Sequence, residues 1–352
     1  MAFATIVHAV SSRAARLALA AAAAGMAILA APVHARAGGD SLQALGSRDL
    51  RLATIGYRLA RANADRCTRH DMLTGLVLHD LSQYDPDDRA AVARAFRLGD
   101  GIGILSVVPD SPAARAGLYR NDEILAIGSA GVRDPSVAWQ GAGSYDRMEA
   151  ILSLLDTTLR AGPTPLLVRR GNAIFVVRLR AEPGCGGRFN VSPSRSVNAW
   201  SDGHYVDVTT AIMDMTANDD ELALIVAHEM SHNILDHSDK LANVPSGLFS
   251  AIGFGAGKVK ATEIEADAYA VGVMARAGYD AEKSIPFLER AGKRRWWDVA
   301  ADHPGIKRRI KTIRAALSEI RAAEAAGRYL PAEVSAPAET GAQVQTAAMT
   351  SR

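Results

Sequence analysis

Long apolar runs are missing from this 352-residue sequence once the first 32 residues are passed. No later segment therefore reaches the roughly 20 apolar residues that a membrane-spanning helix needs. Charge of one sign is missing as well. Forty Lys and Arg stand against 38 Asp and Glu, a net charge of +2, which implies no charge-driven partner. Aromatics make up only 5%, and the arginines are scattered instead of lying along one aromatic-studded face, which argues against nucleic acid. Cysteine is nearly absent, with Cys67 and Cys185 alone. In an exported chain two cysteines favour a disulfide, with a pair of buried free thiols as the alternative, and neither points to a catalytic thiol. A bridge between them would close a loop worth about 4–5 kcal/mol on the chain-entropy account.

What is present begins with an export signal. Arg13 and Arg16 precede an alanine-rich apolar run from Leu17 to Pro32, then small residues follow. Residues 1–37 are expected to be a signal peptide cleaved after Ala35 or Ala37. This stretch has no adjacent arginine pair and no cysteine at the cleavage site. An uncleaved anchor helix is the alternative, but the run is short for a span. The mature protein is expected to be secreted and not membrane-spanning. Its 48% hydrophobic content suffices for a core, and its length fits two or three domains.

The stretch with the most chemistry is Ala227-His228-Glu229-Met230-Ser231-His232. Residues four apart stack on one helix face, so both imidazoles can reach a single metal ion. Glu229 then sits about 100° around the helix, placed to take a proton from a water that the metal acidifies. Residues 222–227 are apolar almost all round, so the helix is buried as it enters the motif. Asn218 and Glu221 read as its N-terminal cap pair. His237, one turn past His232, reads as a histidine at the helix C-terminus and not as a ligand.

A peptidase zinc site needs a third protein ligand. The metzincin pattern would place Gly at 235 and His at 238, where this chain has Leu235 and Ser238. Downstream, residues 261–270 form a second helix with Ile264, Ala268, Val271 and Ala275 as its apolar stripe. Glu263 and Asp267 lie on the margin of that stripe, and Glu265 points away. Glu263 is thus the preferred ligand, Asp267 a hydrogen-bond acceptor for a ligand histidine, and Glu265 part of an exposed acidic face.

Taken together, His-Glu-x-x-His and the later Glu-x-Glu-Ala-Asp resemble the gluzincin metallopeptidases of the CAAX prenyl protease, HtpX, BepA and Oma type. The resemblance covers roughly residues 190–320. It makes Glu263 the third ligand beside His228 and His232, with one Zn²⁺ per chain. Asn198-Ala199-Trp200 and Val206 to Ile212 resemble the strand that flanks the family's cleft, so Asn198 is expected to bind peptide. His303-Pro304 and Arg309-Ile310 resemble its downstream segment. His303 is expected to help catalysis by stabilising an oxyanion; Arg309 either anchors the segment or serves the same oxyanion. Lacking later spans, the chain sides with the family's soluble periplasmic members.

A second resemblance covers roughly residues 97–182. Gly101-Ile102-Gly103-Ile104 and the string Ser111-Pro112-Ala113-Ala114-Arg115-Ala116-Gly117-Leu118 look like a PDZ domain of a bacterial exported protease. A capped helix stopped by Gly117, a helix over 146–159 and a hairpin turning at Gly171-Asn172 fit that order. The resemblance implies peptide addition to a sheet edge, with Gly101 to Ile104 as the carboxylate loop. The alternative is that these four residues are only a strand and the domain packs without binding. Residues 131–144 look like an insertion.

The expected fold is α+β and multidomain. After the signal come a helical segment at 38–96 (with an amphipathic helix over 48–65), a β-rich PDZ-like domain at 97–182, and a mainly helical gluzincin domain at 190–330 with a small edge sheet. A glycine-rich stretch at 244–257 is either a flap or a buried connector. Ile306 to Tyr329 is a basic amphipathic helix, and residues 331–352 a disordered tail. The function expected is that of a zinc metalloendopeptidase acting on polypeptides, in envelope protein quality control. A PDZ-type peptide-binding protein with a latent zinc site is one alternative, and a zinc hydrolase of another substrate, such as an amidase, is the other.

Overall fold

The computed structural model describes residues 39–133, 142–241, 256–293 and 305–328. The signal segment, His303, the tail and most of the 131–144 and 244–257 stretches lie outside them. Helix α1 (Gly39–Ala62) opens the chain, followed by strands β1 (His70–Leu73) and β2 (Leu76–His79) and helix α2 (Pro86–Phe96). Next come β3 (Ile102–Val107), the short α3 (Pro112–Arg115), β4 (Glu123–Ile127), β5 (Ala130–Gly131) and α4 (Asp146–Arg160). Four more strands follow: β6 (Thr164–Arg170), β7 (Ala173–Leu179), β8 (Glu182–Cys185) and β9 (Arg188–Ser192). The remainder is β10 (Ala199–Ser201), β11 (Tyr205–Thr209), α5 (Thr210–Met215), α6 (Asp219–Ile234), α7 (His237–Leu241), α8 (Ala256–Arg276), α9 (Ile285–Lys293) and α10 (Ile306–Ala325).

Two cores result. Strands β2-β3-β4-β6-β7 form an antiparallel path with β5 beside β4. The alternating pattern of β6 buries Thr164, Leu166 and Val168 beneath Met148, Ile151 and Leu155 of α4. The second core is helical. Leu222 to Ala227 of α6, Ala268 to Met274 of α8 and Ile313 to Ile320 of α10 pack around one another. Its sheet, β10-β11-β9, sets β10 and β9 at the two edges, with β11 antiparallel to β10 and parallel to β9.

The boundaries drawn from sequence are displaced at the N-terminal side. Residues 38–96 are not a separate helical segment. Leu52, Ile55 and Leu59 of α1 are fully buried in the helical core, and Arg51 reaches Asp219 and the Asn218 carbonyl at the start of α6. Strand β1 pairs with β8, while β2 is the first strand of the six-stranded sheet. The reason is the break at Thr74-Gly75. Gly75 adopts φ +75°, a conformation that favours glycine, and it turns the chain from one sheet into the other. Cys67 and Cys185, 118 residues apart in sequence, are joined as a disulfide.

Gly101 to Ile104 also differ from expectation. Ile102, Gly103 and Ile104 belong to β3, an interior strand paired on both sides, with β2 and with β4. The Gly101 N–H donates to the Glu123 carboxylate at 2.6 Å, and the Gly99 N–H donates to the same oxygen at 3.1 Å. The loop therefore already holds a carboxylate, that of its own neighbour, which Arg169 clamps from the other side at 2.8 Å. Glycine is needed at 101 because a Cβ there would stand 2.6 Å from the Ile124 carbonyl oxygen. These residues do not form an open peptide edge.

Candidate metal centre

Helix α6 begins where the sequence places it, with a variation in the cap. Asn218 accepts from the Glu221 N–H at 2.9 Å, while the Glu221 carboxylate accepts from the Ala217 N–H at 2.6 Å. Three acidic residues in the first turn suit the positive end of the helix dipole. The helix is then sheathed on nearly every side, and His228 lies buried at 5% exposure.

His228 and His232 turn their Nε2 atoms toward each other at 3.2 Å. Helix α8 crosses behind them and brings Glu263 to both. One carboxylate oxygen lies 3.4 Å from His228 Nε2 and the other 3.3 Å from His232 Nε2. A tetrahedral ion with bonds of about 2.0–2.1 Å holds neighbouring ligand atoms about 3.3 Å apart, so this donor set fits one. Two ring nitrogens facing each other beside a carboxylate are hard to satisfy by hydrogen bonds alone. Among the described residues these three form the one group with ligand atoms suitably clustered.

Each histidine is oriented from behind. His228 Nδ1 meets Asp267 Oδ1 at 3.0 Å, and Arg309 grips the same fully buried carboxylate with Nε at 2.9 Å and Nη2 at 2.6 Å. Burial alone would raise the Asp267 carboxyl, but the Arg309 and His228 contacts outweigh it and hold it down at about 2. Arg309 thus anchors α10 to the site through Asp267; an oxyanion role is not what its contacts serve.

Sequence reasoning missed the partner of His232. Helix α6 does not continue to 237. Its C-cap is Leu235, and Asp236 turns the chain at φ +52° into α7. His237, 1% exposed, comes back so that its Nδ1 lies 2.9 Å from His232 Nδ1. Its Nε2 lies 3.2 Å from a carboxylate oxygen of Glu265. Burial, then the neighbouring His232, lowers the His237 pKa to about 4. A neutral His237 accepts from the His232 Nδ1–H and donates to Glu265, which leaves His232 Nε2 its lone pair. Glu265 is accordingly not an idle acidic residue. The sequence signal was a third histidine five residues after the second.

Glu229 stands apart from the three ligand atoms and is held by the sheet. Ser201 Oγ of β10 donates to Glu229 Oε2 at 3.1 Å. One helical turn on, the Asn233 carboxamide accepts from the Gly203 N–H at 2.8 Å and donates to the Tyr205 carbonyl at 3.3 Å. The β10–β11 turn is thereby pinned along α6. Asn198 precedes β10 with its main chain already engaged: its N–H meets Thr209 Oγ1 at 3.1 Å and its carbonyl accepts from the Thr209 N–H at 3.1 Å. Among the described residues β10 is an edge strand that pairs with β11 alone.

Residues 186–261 match the model of peptidase family M48. This part of the chain is similar to that family. It contains β9 to β11, Glu229 and both histidines, and ends two residues before Glu263; Asp267 and Arg309 also lie beyond it. No curated protein matches the chain. Among solved structures, the chain is similar to the HtrA3 PDZ domain crystallised with a phage-derived ligand (FGRWV), at 20% identity. The alignment covers 33% of this chain and 89% of that one, with a TM-score of 0.24. No helix among the described residues is long and apolar enough to cross a membrane.

Proposed function

We propose that the chain is a zinc metalloendopeptidase, exported to the periplasm or secreted, that cleaves polypeptides in envelope protein quality control. The observation that carries the chemistry is the spacing of His228 Nε2, His232 Nε2 and Glu263 at 3.2–3.4 Å, with a second carboxylate, Glu229, on the same helix as the two histidines. The M48 match supports peptide hydrolysis. The leader-like residues 1–37 and the Cys67–Cys185 bridge support export.

Held by these three side chains, zinc would supply Lewis acidity to oxygen atoms of water and substrate. The protein does the rest. Glu229 accepts the proton of the attacking water and delivers it to the leaving amine. Ser201 fixes the rotamer of Glu229 for that transfer, while Asp267 and His237 keep both imidazoles in the tautomer that presents Nε2. A scissile segment in extended form would lie along the open edge of β10, hydrogen-bonding main chain to main chain.

Casein digestion by the protein lacking residues 1–37, beside Glu229→Gln, tests the reading. Cleavage by the first, a loss of at least a thousandfold in the second, and one zinc in both is the expected result. No zinc in either protein would refute the site.

A further inference from the structure

A cavity of about 290 Å³ opens beside the β6–β7 turn, at the lower end of the size range of small-molecule sites. Its lining falls within residues 97–171, in the half of the chain built on the six-stranded sheet, and shares no residue with the metal centre. We propose that this cavity binds a phosphate monoester borne on a hydroxylated carrier, such as a sugar or polyol phosphate. The proposal stands whether or not the metal centre hydrolyses peptides.

The phosphate follows from the arginines. Arg97, Arg120, Arg169 and Arg170 line the cavity against Asp122 and Glu123, so four positive charges face two negative ones. A third carboxylate nearby, Asp100, is shared between Arg169 and Arg133. Among the described residues no carboxylate pairs with Arg97 or Arg120. Three of the guanidinium groups are held still. Arg170 lies 4.5 Å from the Tyr119 ring centroid and 5.1 Å from that of Phe175, while its Nε and Nη2 meet the buried Asp122 carboxylate at 2.6 and 2.7 Å. Arg169 Nε meets Glu123 at 2.8 Å, and Arg120 lies 5.5 Å from the Phe96 centroid. In Arg169 and Arg170 the Nη1 atom makes no hydrogen bond among the described residues, so each fork keeps donors for a ligand. The excess of two positive charges suits a phosphate monoester, which carries about −1.5 to −2 at pH 7 and three acceptor oxygens. Arginines already immobilised lose little entropy in meeting it.

The hydroxylated carrier follows from Asn121. This residue lines the same cavity, at φ +67° in the turn before β4. Its carboxamide Oδ1 is buried and has no hydrogen-bond partner among the described residues. Such an oxygen is costly to leave unpaired. A fully ionised phosphate brings acceptors alone and cannot satisfy it. A hydroxyl next to the phosphate brings the missing donor.

The test is isothermal titration calorimetry on the protein lacking residues 1–37, with glucose 6-phosphate, inorganic phosphate and glucose as probes. Glucose 6-phosphate should bind, inorganic phosphate should bind roughly three- to tenfold more weakly, and glucose should not bind. Arg120→Gln and Arg97→Asn should each weaken glucose 6-phosphate roughly tenfold with an unchanged melting temperature; asparagine tolerates the φ of +52° at position 97. Asn121→Gly keeps its positive φ and should bring glucose 6-phosphate down to the affinity of inorganic phosphate. Vesicles of phosphatidylcholine carrying phosphatidylinositol phosphate identify the carrier. Co-sedimentation supports a lipid headgroup, and binding of the free sugar phosphate alone supports a soluble one. Equal affinity for glucose 6-phosphate and inorganic phosphate would overturn the hydroxylated carrier. Binding indifferent to both arginine substitutions would put the phosphate elsewhere, at the metal centre for example, and overturn the site. No binding by any phosphate probe would overturn the proposal outright.

Discussion

Replacing His237 by phenylalanine keeps a ring in the pocket and removes the nitrogen that meets His232. The expected outcome is a loss of zinc affinity of about 10–100-fold, read by competition with a chelating dye, with the circular dichroism spectrum unchanged. Equal affinity in variant and wild type would mean that the contact with His232 has no hold on the ligand. A second residue, Asp49 on α1, offers a stability test far from the metal. Burial raises its carboxyl to about 7, so the folded protein binds a proton there that the unfolded chain releases near pH 4. Stability gained by this proton is present below that point and is lost as pH rises toward 7. Asp49→Asn should flatten the decline in melting temperature between pH 4 and 8, removing on the order of 4 kcal/mol of pH dependence. An unchanged profile would place the carboxyl in water.

Among the elements, α6 was legible because its chemistry obeys one period. His228 and His232 are four apart, and so are Glu263 and Asp267 on α8, so a helical reading already sets each pair on one face. What the period cannot carry is a change of direction. His237 was misjudged because a straight helix was extended past Asp236, where a left-handed residue bends the chain back onto the site. Strand β2 was overlooked for a similar reason. Four residues after a glycine give too short a pattern to separate from the neighbouring helical stretch, and its partner β3 is 24 residues away along the chain. Gly101 and Gly103 misled in the opposite sense, since glycine serves there to admit Glu123 and His79, not a ligand. Helix α1 shows how tertiary burial corrects a boundary. Leu59→Ala should cost about 2–5 kcal/mol, measured by urea unfolding, because its side chain is fully enclosed by the helical core. A cost near zero would return α1 to the status of a detachable segment.

For the molecule as a whole, a metal that binds only the native state adds to its stability by mass action. Chelation should lower the melting temperature, and zinc at about a thousand times its dissociation constant should restore about 4 kcal/mol; His228→Ala should show neither response. The disulfide has a consequence of a different kind. Because Cys67 and Cys185 are joined, the whole of β1 to β7 hangs from the helical core as a closed ring. Any protease that nicks the ring leaves two fragments still tethered. Such a nick would pass unseen as a single band on a non-reducing gel and split into two only after thiol treatment, so processing within the ring need not cost the molecule either of its halves.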